Sequence, residues 1–262
     1  GQRVPVITHT VTPTTSQPVV TGSVQYVDVG LSLDVEPTVY MDNDVAIKVN
    51  LEVSTIIKEV TAGQSGTLAY QIGTRNASTL LRLKDGETII MGGRVWDIRM
   101  GNGHAPEHAT FWSRDDNLVI GGGQLLPSIS ANLGVYATEP DADPVAEWLT
   151  SCAAFIPLAR DDHFVLGGHK LPFTGLPLRL HQMIENHHGA LARLEAFLEQ
   201  PRRGGDCFMP VFKREITGDA YGLALVEAIA HLNHLQQAGR VNRWLDADGA
   251  YLWQTVARSK EN

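Results

Sequence analysis

Cysteine is scarce in this chain. Only Cys152 and Cys207 occur among 262 residues, too few for a disulfide framework. No apolar run reaches the roughly 18 residues that a membrane-crossing helix needs. Positive charge is also short. Against 29 Asp and Glu stand 21 Lys and Arg, for a formal charge of −8. Broad attraction to nucleic acid or anionic lipid is therefore not expected, although a local basic patch is compatible with this balance. A Gly-x-Ser-x-Gly elbow is missing, which removes the support for a serine hydrolase. The chain opens Gly-Gln-Arg, without Met and without a basic-then-apolar leader, and on that basis reads as a fragment or processed product. What is there is ordinary for a folded protein: 43% apolar and 19% charged residues. That excludes a disordered or collagen-like chain and suffices for one large core or two smaller ones.

Histidine is unevenly spread. His9 alone precedes residue 100, and the other nine follow it. The apolar patterning changes at nearly the same place. Two modules with different histories are expected.

Residues 1–93 alternate apolar with small or polar side chains, the period of half-buried strands. Val45, Ile47, Val49, Leu51 and Val53 share one side, and Ala46, Lys48, Asn50 and Glu52 the other. Met41 to Asp44 and the stretch TAGQSG are turn and loop signals. Asp85-Gly86 predicts a hairpin within STLLRLKDGETIIMGG. So few strands leave open edges that need a partner. VQYVDVGLSLDVEPTVYMDNDVAIKVNLEVS and GTLAYQIGTRNASTLLRLKDGETIIMGG resemble the bacterial secretin family. The resemblance implies a piece of the channel-forming domain of type II secretion and type IV pilus systems, an outer-membrane or periplasmic setting, and self-association through the strand edges of residues 24–93. It lapses at Arg94, where further barrel strands would follow.

From residue 94 onward helices enter. Residues 144–159, 177–200 and 218–237 carry helical spacing, and VNRWLDADGAYLW predicts a hairpin. Strands ending in loops with His104 and His169 suit metal chemistry, because a sheet can hold imidazoles around an ion. His163, His181, His231 and His234 are expected at the surface. Of His187 and His188, one should face the core and the other solvent. GHAPEHATFW, VIGGGQLLPSISANLGVY and FVLGGHKLPF are similar to successive blocks of the metallo-β-lactamase fold hydrolases, and residues 186–253 to a winged-helix appendage. That resemblance implies zinc ligands at His104 and His169, with Glu107 and His108 beside the site, a small-molecule or ester substrate only if the metal site is completed, and a cytoplasmic setting. Two departures stand out. The leading His-x-His-x-Asp-His block is absent, and Gly123 falls where a carboxylate should bridge two metals. Zinc binding is therefore expected to be weak or absent, with no anchored base to activate water.

The expected fold class is α+β. An antiparallel β segment (1–93) joins the second half of an αββα sandwich (94–185), then a winged-helix-like domain (186–262). The leading functional reading is a metallo-β-lactamase-like hydrolase of impaired activity. A secretion-channel fragment is the alternative. A nucleic-acid-binding winged helix, using Arg202, Arg203, Lys213, Arg214, Arg240 and Arg243, is a third and is not favoured.

Overall fold

The computed structural model describes residues 2–12, 19–39, 44–62 and 67–256. It divides into two compact units, Gly1–Arg82 and Leu83–Asn262. The expected turn at 41–44 and loop at 61–66 lie largely outside the described residues.

The first unit is all strand, as its β-branched content favours. β1 (Gln2–Thr12) and β2 (Val19–Val29) pair antiparallel, from Gln2 opposite Val29 to Thr12 opposite Val19. β3 (Leu31–Val39), β4 (Asp44–Ala62) and β5 (Thr67–Lys84) form a second sheet in that order. Gly30 separates β2 from β3 at φ 144°, a conformation that L side chains rarely adopt. Ser54 anchors this point: its backbone N–H donates to the Gly30 carbonyl at 2.8 Å, and its hydroxyl accepts from the Gly30 N–H at 3.0 Å. On β3, Leu31, Leu33 and Val35 are exposed.

The second unit is built on a five-stranded sheet. β6 (Thr88–Met91), β7 (Arg94–Gly101), β8 (His108–Ser113), β9 (Leu118–Gly122) and β10 (Phe164–Gly167) lie in the order β10-β9-β8-β7-β6. Only β9 and β10 run parallel. Parallel neighbours need a long crossover, and here it carries α1 (Pro144–Phe155). Asp143 caps α1 by accepting from the Ala146 N–H at 2.9 Å. α2 (Leu176–Phe197), α3 (Phe208–Phe212) and α4 (Tyr221–Gln237) follow, then a hairpin of β11 (Val241–Leu245) and β12 (Tyr251–Thr255).

Strand register sorts the faces. Trp112 stands opposite Val119, and both join the main core with Val165, Val145, Trp148 and Leu180. The other face carries Ile89, Trp96, Ile98, Phe111 and Ile120, which pair across the same ladders. One helix layer thus covers one face of the sheet, and the fold is mixed α and β.

The hairpin expected around Asp85-Gly86 does not form. β6 pairs with β7 instead of with β5. Gly92 and Gly93, both at positive φ (62° and 76°), make the two-residue turn that matches strand twist. Asp85 and Gly86 instead tie to the far end of β7. The Asp85 carboxylate accepts from the Met100 N–H at 2.8 Å, and the Gly86 N–H donates to the Ile98 carbonyl at 3.0 Å.

Three histidines expected at the surface are not there. His163 is buried, edge-on to Trp112 with ring centroids 5.3 Å apart. His231 is buried on α4, and His234 is mostly buried against Asp143 at 3.0 Å. Position explains His231: with Ala224, Ala228 and Leu235 it completes a core stripe at helical spacing. His181 is exposed, while His187 is buried and His188 exposed.

Candidate functional site

The loops that leave β7, β9 and β10 meet at one end of the sheet, where open α/β sheets usually keep their ligands. The β7–β8 loop, residues 102–107, is held at both ends. The Asn102 N–H donates to Ser151 Oγ on α1 at 2.8 Å. The Glu107 N–H donates to Asn102 Oδ1 at 2.7 Å. Glu107 sits at φ 49°, and its Oε2 is buried without a hydrogen-bond partner. Beneath the loop lies Gln124, fully buried, with Nε2 at 3.5 Å from the Asn102 carbonyl.

His104 within this loop and His108 at its end have ring centroids 6.0 Å apart. Both press on the glycines that follow β9. A Cβ on Gly122 would stand 2.5 Å from His108 Nε2, and one on Gly123 would stand 2.6 Å from His104 Nε2. Those clearances are too short for any side chain unless the imidazoles move. His104 Nδ1 lies 3.0 Å from the Asn132 carbonyl. In the neutral ring that nitrogen carries the proton and Nε2 keeps its lone pair, as in a supported metal ligand. Burial, and then the neighbouring His104, push His108 below its ordinary pKa, which keeps it neutral.

His169 arrives through the last loop. The Gly168 N–H donates to the Gly122 carbonyl at 2.7 Å, so the loop is latched to the glycine turn. The His169 side chain itself is exposed. Gly123, His104 and His108 thus come together, with Glu107 in the same loop and His169 on the neighbouring one. Among the described residues no group of three or more His, Cys, Asp or Glu lies close enough to hold a metal ion. The donor set does not fit a zinc pair. It supplies imidazoles, with glycines rather than carboxylates packed against the rings.

A second polar group lies behind the first, unforeseen in the sequence. Asn132, whose carbonyl meets His104, donates its amide to Glu227 Oε2 at 2.7 Å. Burial lifts the Glu227 carboxyl to about 7, partly opposed by that hydrogen bond. One turn on, His231 Nδ1 meets the Glu227 carbonyl at 2.8 Å. His231 Nε2 lies 3.2 Å from His187 Nδ1, with the rings stacked at 5.4 Å. Burial holds His231 down at about 4 and His187 at about 3, so both are neutral. The one available signal was spacing: Glu227 and His231 are four apart on an apolar helix.

Of the six basic residues noted in the C-terminal part, Arg203 pairs with Asp246 and Asp248, and Arg240 with Glu195. Arg243 pairs with Asp141 at 2.9 Å, and Arg202 lies over the Phe197 ring. Lys213 and Arg214 have no ion pair among the described residues.

Sequence comparison matches each end of the chain to a different family. Residues 1–100 match the secretin model, described as bacterial type II and III secretion system protein. Residues 191–256 match the metallo-beta-lactamase-like C-terminal domain. Each match covers less than half of the chain. The metallo-β-lactamase-like part also has similar solved structures. A beta-lactamase domain protein from Burkholderia ambifaria shares 32% identity at a TM-score of 0.64, over 67% of this chain and 52% of that one. A metallo-beta-lactamase family protein from Thermus thermophilus shares 25% identity at 0.58, over 66% and 54%. The chain therefore spans about half the length of these two structures. No curated protein matches the sequence. No described helix is long and apolar enough to cross a membrane, which says nothing of a β-barrel.

Proposed function

We propose that the second unit is a metallo-β-lactamase-like module that has lost two-metal hydrolysis, so that turnover is weak or nil. The observation that carries this reading is the contact of Gly122 and Gly123 with the rings of His108 and His104. A hydrolase of this kind needs an ion with an open position and a carboxylate-rich shell. Here the space for the bridging carboxylate is taken up by imidazole. His104, with Nδ1 supported by Asn132, is the best remaining single ligand, and His169 the nearest candidate to join it. Any zinc bound would be weak, and hydrolysis of a small ester would require the missing ligands to come from elsewhere. Calorimetric zinc titration of the wild type and of His104→Ala tests this. Weak heat in the wild type that disappears in the variant is expected. Tight binding of two zinc ions per chain would overturn the reading.

The C-terminal helices and hairpin carry the winged-helix reading, since α3 and α4 precede β11 and β12 in that motif's order. Most of the basic residues there are already paired, so nucleic acid is not the proposed partner. A cytoplasmic setting goes with this half.

For the first unit the exposed apolar residues of β3 and the secretin likeness support a second reading. Its strands would associate edge to edge with other copies, in the periplasm or outer membrane. Sizing in detergent and membrane fractionation distinguish the outcomes. Detergent-resistant oligomers in the membrane fraction would support it, and a soluble monomer would overturn it.

A further inference from the structure

The cavity behind the candidate metal site has no role in either reading above. Its volume is about 470 Å³, and it is a cleft open to solvent, lined by α2, α3, α4 and the loop after β9 within the second unit. Its wall has three chemistries. Leu223, Ala224, Phe212 and Ile216 make an apolar side. Arg193, Lys213 and Arg214 bring positive charge. Arg193 is partly engaged, donating to the Pro210 and Val211 carbonyls, whereas Lys213 and Arg214 are exposed and form no ion pair among the described residues. The third chemistry is acceptor capacity. Glu227 spends Oε2 on Asn132, and Oε1 has no partner among the described residues.

The histidine pair adds to that capacity. A carbonyl can only accept, so His231 Nδ1 carries a proton toward the Glu227 carbonyl. In the neutral ring His231 Nε2 must then accept from His187 Nδ1. His187 Nε2 is left as a bare lone pair. That atom is buried and unpartnered, on a residue only 2% exposed that lines the cavity. An orphaned buried acceptor is costly, and it leaves this wall of the cavity rich in unmatched acceptor capacity.

We propose that this cavity binds a small amphipathic zwitterion of the amino-acid class. Its anionic group meets Lys213 and Arg214, its ammonium meets Glu227, and its aliphatic body lies on the apolar side. A purely anionic ligand would leave the Glu227 acceptor facing it unmatched. A purely cationic ligand would meet three positive side chains. Only a molecule with both charges matches both kinds of side chain in the wall.

Calorimetry on the full chain tests this with three probes of the same carbon skeleton: L-leucine, L-leucinamide and 4-methylpentanoate. Leucine should bind at least about tenfold more tightly than either trimmed probe. Glu227→Gln should abolish the preference for leucine over 4-methylpentanoate. Lys213→Ala with Arg214→Ala should abolish the preference over leucinamide. A ¹⁵N shift at His187 Nε2 on leucine addition gives a readout in the unmutated protein, so loss of folding in a variant does not decide the matter. Equal binding of all three probes, or no binding and no ¹⁵N shift at about 10 mM, overturns the proposal.

Discussion

The two units solve the burial problem differently. In the second, Trp148, Phe155, Leu180, Met183 and Leu194 are almost wholly buried between helices and sheet. In the first, the buried apolar residues among the described side chains are Val29, Val45 and Ala46, while Tyr26, Leu31, Leu33, Ile57 and Leu80 are exposed. Both regions carry regular hydrogen-bonded structure. Hydrogen bonds alone add little net stability, however, because water offers the same bonds to the unfolded chain. The difference teaches that strand pattern is not a core. A helix-covered sheet closes on itself, but long strand ribbons leave their apolar side chains for something outside the unit to cover.

The largest expected effect is at Trp148, which packs with Phe155 and Leu180 in the core. Trp148→Ala should cost about 3–5 kcal/mol in urea denaturation followed by tryptophan-independent circular dichroism. The matched change in the other unit, Leu33→Ala, should stay within about 0.5 kcal/mol for the isolated chain. If Leu33 proves as costly as Trp148, the strands are already covered and the contrast fails.

Next comes pH. Glu227 is lifted to about 7 in the fold. Its contribution is therefore fully present below the unfolded carboxyl value and is lost as pH rises through 7. His187 and His231 are depressed to about 3 and 4. Their contributions are present above the unfolded imidazole value of about 6.5 and are lost as pH falls toward those values. Two histidines outweigh one carboxyl between the carboxyl and imidazole values. Stability should therefore rise with pH from about 4.5 and level off near about pH 7, read from urea midpoints across a pH series. Glu227→Gln should steepen that rise by about 1–3 kcal/mol. The first unit has no comparable buried ionisable cluster among its described residues, so an unchanged profile in that variant would remove this distinction.

Gly122→Ala is a milder test at the glycine turn. It combines a positive φ of 50° with a clash against His108, and should cost about 1–2 kcal/mol of thermal stability. An unchanged melting temperature would mean that the imidazole moves freely, and would reopen the space for a bridging ligand. The smallest effect is expected in the first unit. Lys48 and Glu36 pair at 3.1 Å but are both about half exposed, so Lys48→Ala should shift stability by no more than about 0.5 kcal/mol.

Much of this organisation was legible in the residues. The alternation of Val45 through Val53 belongs to a strand, and the spacing of Leu180, Ile184, Leu191 and Leu194 to a long helix. The change in histidine content falls near residue 100, whereas the compact units divide between Arg82 and Leu83. Asp85-Gly86 misled because a turn dipeptide states that the chain can reverse, not which strand will receive it. His231 misled because histidine is usually half exposed, and only its place on the apolar stripe of α4 argued otherwise.

The sequence by itself determined the periodicities, the glycine turns and the glycine at position 123, since each depends on local stereochemistry or on the identity of one residue. The tertiary structure alone decided that His104 and His108 close over Gly122 and Gly123, and that Asn132, His187, Glu227 and His231 form one buried polar group. Those contacts join residues as many as 95 positions apart. Packing of a loop and two helices brings them together, and no local pattern encodes that meeting.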